Sequence, residues 1–367
     1  MSTVERARLR IHSGDRAPFS YGMTGDKAFY SFDAQAGRPA AVILAGRLPP
    51  PATAAIVAAF QRRAADFPPH EADLLLLIDA QGPRVQDYVA NPPQGVTAVY
   101  CLPEVLFAWG FDSLAPLVVV TDRNMRVLAI ADADPVEAAV DAALACIAAA
   151  PAEPPRDIVL PAPVLLVPNL LSASLCRALI DCFDASAHVA GGMASIDARG
   201  NAIHKIDESK KKREDYILPP DSVLGESVLG ALARICLPEM KRAFQFDACH
   251  IDRILIARYD DTGGYFRRHR DNSAPAVAFR QFAISVNLNS EDYEGGHLLF
   301  PEYNSHRYKP GRGAGVVFSA SLLHEATPVT RGSRYVVLSF LHDAAGEARR
   351  LGFVQQQAAQ ASAAASA

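Results

Sequence analysis

Two kinds of hydrophobic pattern share the first 150 residues. Continuous apolar runs at 40–44, 74–79 and 117–120 alternate with stretches whose apolar residues recur at helical spacing, such as Ile56, Val57 and Phe60. Short continuous runs bounded by turn residues predict strands buried on both faces, and the spaced residues predict an amphipathic helix over 52–65, after Pro49-Pro50-Pro51. Thr121-Asp122-Arg123-Asn124 reads as a turn into a strand over 125–130. Asp134-Pro135 opens a last helix, with Val136, Val140, Leu144 and Ile147 along one face. Strands alternating with helices predict an α/β domain around a central sheet.

The pattern changes after residue 148, where Ala148-Ala149-Ala150-Pro151 and Pro154-Pro155 have no periodicity and read as a semi-rigid connector. This places a first domain over 1–150, a linker over 151–162, a second domain over 163–345 and a low-complexity tail over 346–367. A strand at 164–167 leads to a helix through Leu175, Leu179, Ile180 and Phe183, capped by Asn169 or Ser172. A polar stretch follows, centred on residues 205–216 with the run Lys210-Lys211-Lys212-Arg213, and reads as a solvated loop or a lid. Helical spacing returns over 223–244, broken or kinked at Pro238. From Ile251 short strands are split by turns, and this many strands in about ninety residues predict a sandwich or jelly roll. The Ala- and Ser-rich stretch 355–367 reads as a disordered end.

A chain of 367 residues, half of them hydrophobic, can fill two cores. Residues 1–150 carry 12 basic and 16 acidic side chains and the remainder 24 of each, so neither half has the net positive field that nucleic acid requires. The six cysteines include no C-x-x-C pair and are too sparse for a disulfide framework, which predicts mostly buried thiols in a reducing compartment. The first ten residues have no apolar signal-like core and the longest apolar runs are strand-length. We therefore expect a cytoplasmic protein without membrane contact, its oligomeric state open.

Candidate chemistry concentrates between Tyr259 and Arg334. His269 and Asp271, two apart on a predicted strand, share one face. With His324, 53 positions beyond Asp271, they form a set of two imidazoles and one carboxylate that can hold iron(II) and leave coordination positions open. The triplet alone is unselective, because His250-Ile251-Asp252 stands a similar 54 positions before His306. Only the first set has an arginine ten positions beyond its last histidine. Arg334 begins a strand whose Arg334, Val336, Leu338 and Phe340 share a face, and an arginine on an apolar inward face calls for an anion. A dicarboxylate co-substrate would supply one. Zinc hydrolysis also suits two histidines and a carboxylate, but leaves Arg334 without a role. On the strand over 281–289, Ser285 and Asn287 lie opposite Phe282, Ile284, Val286 and Leu288, so a polar face toward the pocket could help hold the co-substrate.

These residues, with Arg258-Tyr259 before a Gly-rich turn, Phe266, Glu294-Gly295-Gly296 and Phe300-Pro301, resemble the prolyl 4-hydroxylase-like branch of the iron(II)- and 2-oxoglutarate-dependent dioxygenases over about 163–342. The resemblance implies a double-stranded β-helix (jelly roll) with Fe(II) on His269, Asp271 and His324. Arg334 would bind the far carboxylate of 2-oxoglutarate, Tyr259 would line its pocket, and Asn287 would stand where relatives often have a tyrosine. It further implies O2 as co-substrate, ascorbate as an accessory reductant, release of succinate and carbon dioxide, and hydroxylation of a protein residue or small molecule. A non-catalytic iron and 2-oxoglutarate sensor is the alternative within this fold.

The first domain, through Gly14-Asp15-Arg16-Ala17-Pro18, Gly37-Arg38-Pro39 and Ala115-Pro116, resembles thioredoxin-fold proteins of the peroxiredoxin kind over about 10–148. The resemblance implies a cis-proline at Pro116. Where a redox cysteine would stand, this chain has Ala45-Gly46-Arg47-Leu48-Pro49, which argues for a scaffold or docking domain. Thiol chemistry at Cys101 is the alternative.

Overall fold

The computed structural model describes residues 11–67, 71–111, 115–150, 157–196 and 202–366. Contacts divide the chain into two compact units, Met1–Pro155 and Arg156–Ala367. The first ten residues and residues 151–156 of the expected linker lie outside the described residues.

In the first unit, apolar runs become a seven-stranded sheet in the order β2-β1-β5-β4-β3-β6-β7. Its strands are β1 (Tyr21–Thr24), β2 (Phe29–Ser31), β3 (Ala40–Gly46), β4 (Asp73–Asp79), β5 (Thr97–Cys101), β6 (Leu117–Thr121) and β7 (Val127–Asp132). The helices are α1 (Pro50–Arg62), α2 (Val85–Ala90), α3 (Pro103–Trp109) and α4 (Val136–Ala149). β3 runs parallel to β4 and antiparallel to β6. Alternate residues of β3 enter different cores: Ala41, Ile43 and Ala45 pack with α1 and α4, while Ala40, Val42 and Leu44 pack with α3 and Trp109. Burial on both faces explains why this strand is continuously apolar.

Two expectations for this unit change. The peptide before Pro116 is trans, and the cis X-Pro bond among the described residues is Asp134–Pro135. Strands β1, β2 and β5 were not expected, because β1 and β2 are short and β5 follows the turn-rich Asn91–Gly95 region without a long apolar run.

The second unit holds a seven-stranded sheet in the order β8-β19-β16-β22-β14-β13-β9, and a four-stranded sheet in the order β12-β15-β20-β18. In chain order its elements are β8 (Val164–Val167), α5 (Ala173–Ala185), β9 (Val189–Ala190), β10 (Met193–Ile196), β11 (Ala202–Lys205), β12 (Lys211–Lys212) and β13 (Glu214–Leu218). Then come α6 (Val223–Ala231), α7 (Leu237–Phe244), β14 (His250–Tyr259), β15 (Tyr265–His269), β16 (Phe282–Asn287), β17 (Glu294–Gly295) and β18 (Leu298–Leu299). β19 (Gly315–Ser319), β20 (His324–Ala326), β21 (Val329–Arg331), β22 (Arg334–His342) and α8 (Ala344–Ser366) complete it.

Ser172, rather than Asn169, caps α5 by accepting from the Leu175 amide at 3.2 Å. A π-type turn at Leu232–Cys236 joins α6 to α7 just before Pro238, whose missing N–H interrupts the helical ladder. One face of the large sheet, with Ile254, Ile256, Ile284, Val286, Val337 and Leu341, packs on α5, α6 and α7. Each such fully buried aliphatic side chain contributes on the order of 2 kcal/mol. The other face, with Ala257, Tyr259, Ala283, Val316, Val336 and Phe340, meets residues of the small sheet and its turns, including Leu298, Phe300 and Ala326.

The tail differs from the expected disordered end, because α8 continues to Ser366. Ala, Gln, Glu and Arg are strong helix formers. The first turns are anchored where Glu347 accepts from His342 Nε2 at 2.9 Å and pairs with Arg350 at 2.7 Å. The polar stretch over 205–216 is not a wholly solvated loop either: Lys211, Arg213 and Asp215 have buried side chains. Among the described residues no helix is long and apolar enough to cross a membrane.

Candidate metal and co-substrate site

The antiparallel pairing of β15 and β20 sets His269 directly opposite His324, with ring centroids 4.2 Å apart. Asp271 leaves β15 just beyond, and its amide donates to the Ala320 carbonyl at 2.9 Å, fixing where the carboxylate turns in. Ligand atoms of His269, Asp271 and His324 all lie within 4.8 Å of one another. The rival set does not assemble: Asp252 pairs with Arg280, His250 stacks on His342, and His306 is exposed outside any strand.

The donor chemistry of the triad fits a metal cation. Nδ1–H of His269 donates to the Arg267 carbonyl at 2.7 Å, and Nδ1–H of His324 to the Leu322 carbonyl at 3.0 Å. A carbonyl can only accept, so Nε2 of each ring is left as a lone pair when the ring is neutral. Those nitrogens face Asp271 at 3.5 and 3.4 Å. Burial pushes the His324 pKa below its ordinary value, against the pull of Asp271, which favours the neutral ligand. Burial opposes the charge of Asp271, yet the facing imidazoles and Arg280 outweigh it and hold the carboxyl below the usual range. Two lone pairs aimed at a carboxylate repel it unless a cation lies between them.

β22 begins at Arg334, which pairs across the sheet with Tyr259 on β14. Arg334 is 4% exposed, and its Nη2 donates to Ser285 Oγ at 3.4 Å and Asn287 Oδ1 at 3.3 Å, both long bonds to neutral groups. Its Nε is buried without a hydrogen-bond partner, and no carboxylate among the described residues pairs with it. The Tyr259 ring lies 5.2 Å from its guanidinium. A buried cation in this state suits a carboxylate brought in by a small molecule.

Tyr259, Arg334 and Ser285 line one cavity of about 880 Å³ together with His269, Asp271 and His324. Asn287 stands behind that wall, its amide donating to the Pro310 carbonyl at 2.9 Å while its oxygen faces Arg334.

Sequence reasoning missed two features. Tyr293 lies beside Arg334, whose charge offsets part of the burial that raises the phenol pKa, and its hydroxyl is a second buried group without a partner. The only signal was an aromatic residue in the turn before Glu294-Gly295-Gly296. The second is a network beneath Tyr259. Arg213 Nη1 donates to the Tyr259 hydroxyl at 2.9 Å, Arg213 Nε pairs with Asp215 at 2.6 Å, and Lys211 reaches the same carboxylate at 3.3 Å.

Comparison with known proteins agrees with this geometry. The sequence profile of the 2OG-Fe(II) oxygenase superfamily matches residues 254–342. A PKHD-type hydroxylase of Paracoccus denitrificans is 35% identical over 156 residues, which are 39% of this chain and 65% of the relative. A PKHD-type hydroxylase of Methylobacterium nodulans is 30% identical over 187 residues, covering 46% of this chain and 73% of the relative. The crystal structure of a Pseudomonas putida prolyl-4-hydroxylase is 22% identical with a TM-score of 0.38, covering 49% of this chain and 92% of that one. The chain belongs to the 2OG-Fe(II) oxygenase superfamily.

Proposed function

We propose that this protein is an iron(II)- and 2-oxoglutarate-dependent dioxygenase that hydroxylates a C–H bond of a protein residue or small molecule, releasing succinate and carbon dioxide. The observation that carries this reading is a buried arginine without a counter-anion in the cavity of a His-Asp-His cluster. His269, Asp271 and His324 would hold the iron, and Arg334 with Ser285 and Tyr293 would take the far carboxylate of 2-oxoglutarate. When bound, the metal and co-substrate supply the oxidising power, drawn from O2 and from loss of carbon dioxide. The protein's part is positional: the carbonyl-anchored imidazoles keep their Nε2 atoms inward, Asn287 orients Arg334, and the apolar wall of Phe318, Leu338 and Phe340 limits water.

On the order of its strands, with β4-β3-β6-β7 as core and α1 and α4 on one face, we assign the first unit to the thioredoxin-like class and the second to the double-stranded β-helix. No observation favours redox work by the first unit. α1 begins without a cysteine, and burial pushes the Cys101 thiol up to about 12. We read it as a docking or scaffold unit in a cytoplasmic enzyme for which ascorbate keeps the iron reduced.

The test is succinate formation and a +16 mass product on incubation with Fe(II), 2-oxoglutarate and a panel of peptides and metabolites. His269→Ala and Asp271→Ala are expected to lose iron binding and succinate formation together. Undiminished turnover in both variants would refute the proposal.

A further inference from the structure

The cavity of the second unit is lined by ten lysine and arginine side chains against three aspartate and glutamate ones, in a chain of net charge −4. Five of these ten cations are neutralised locally. Asp215 serves Lys211 and Arg213, Asp252 serves Arg280, Glu325 serves Arg268 and Glu302 serves Arg270. Arg253 is not. Its Nε is buried without a hydrogen-bond partner, and no carboxylate among the described residues pairs with it.

A β-bulge explains its position. Ile251 pairs with Leu341 and Ile254 with Ser339, so Asp252 and Arg253 together oppose Phe340. Asp252 holds Arg280, whose guanidinium lies 3.7 Å from the Phe340 ring centre, and Arg253 approaches the same ring at 5.9 Å. Phe340 is thus flanked by two guanidiniums, six residues and about 20 Å along the strand from Arg334. If 2-oxoglutarate is held as proposed, its carboxylates are taken by Arg334 and the metal, and neither answers Arg253.

We propose that the substrate carries an oxyanion, a carboxylate or a phosphate, which seats against Arg253 beside Phe340. This rests on the proposed oxygenase function and names the substrate class for that site. Arg280, held by Asp252, fixes the far side of Phe340 and leaves Arg253 as the cation beside that ring without a carboxylate among the described residues. The anion would come from a free metabolite or from a side chain of a peptide, and the two are separated by the choice of probe.

The experiment uses the full chain loaded with Mn(II), which does not support turnover, and saturating 2-oxoglutarate, so that Arg334 is occupied. Inorganic phosphate is titrated by calorimetry, followed by an end-blocked tetrapeptide containing glutamate and its glutamine counterpart. Binding of phosphate, or of the glutamate peptide at least about tenfold more tightly than the glutamine peptide, supports the assignment, since a charge-assisted hydrogen bond is worth that factor or more. The former points to a phosphorylated substrate and the latter to an acidic peptide. Arg253→Gln should weaken the binding about tenfold, and Arg253→Lys, which keeps the charge, should weaken it less. Absence of phosphate and glutamate-peptide binding while 2-oxoglutarate binds, or equal binding by Arg253→Gln with an unchanged melting temperature, would overturn the inference. Failure of 2-oxoglutarate itself to bind would overturn the proposed function and the substrate assignment with it.

Discussion

The guanidinium of Arg213 donates to the hydroxyl of Tyr259 at 2.9 Å and sits between the rings of Tyr259 and Phe266, 5.6 and 5.7 Å from their centres. Phe266 in turn stacks on His269 at 3.4 Å between ring centres. One cation thus braces both the tyrosine opposite Arg334 and the aromatic ring behind a metal-cluster histidine. Arg213→Met would remove these contacts and leave Asp215 with Lys211 alone. We expect a loss of about 3 kcal/mol of stability, the usual consequence of breaking a buried pair from one side, read from urea denaturation of the metal-free protein.

Lys211 gives the fold a pH dependence. Burial, reinforced by Arg213 and opposed by Asp215, lowers its pKa from 10.5 to about 7. Below about 7 both folded and unfolded chains carry the proton, and the cost of burying the charge is present in full. Between about 7 and 10.5 the unfolded chain binds more protons, so stability rises with pH across that window. Urea midpoints at pH 7 and pH 9 should therefore separate more for wild type than for Lys211→Met. An equal separation would show that Lys211 titrates normally.

The setting of Arg334 can be tested apart from its charge. Asn287→Ala removes one of its two neutral hydrogen-bond acceptors, and Gly296→Ala would place a methyl 2.9 Å from Arg334 Cδ at a backbone φ of +59°. Both variants should raise the KM for 2-oxoglutarate by about three- to tenfold, consistent with losing or misaligning one hydrogen bond, with little change in metal affinity. Equal loss of metal and co-substrate binding would point to general unfolding instead.

How far the site could be read from sequence depended on periodicity. Period two turned Ser285 and Asn287 to the face opposite Ile284 and Val286, and the large sheet has that arrangement; it does not account for Asp271, because β15 ends at His269 and Asp271 joins the cluster from the residues just beyond the strand. Periodicity says nothing of turns, so Tyr293 was invisible. Nor does it reveal charge pairs formed across the fold. Lys210-Lys211-Lys212-Arg213 looks like a solvated run, yet Lys211 and Arg213 are buried because Asp215, on the following strand, neutralises them. The tail follows another logic: an Ala-rich composition has the low complexity of a disordered end, and the same residues favour a helix once the first turns are anchored.

The bulge in β14 has an evolutionary consequence. From Ile254 to Tyr259 the strand keeps an unbroken register with β22, so Tyr259 stays opposite Arg334 whatever happens at Asp252 and Arg253. The extra residue insulates one end of the strand pair from the other. Descendants of this protein can exchange the side chains beside Phe340, and with them what the cavity admits, without disturbing the end that Arg334 occupies. A single inserted residue makes the two ends of one hydrogen-bonded ladder separately variable.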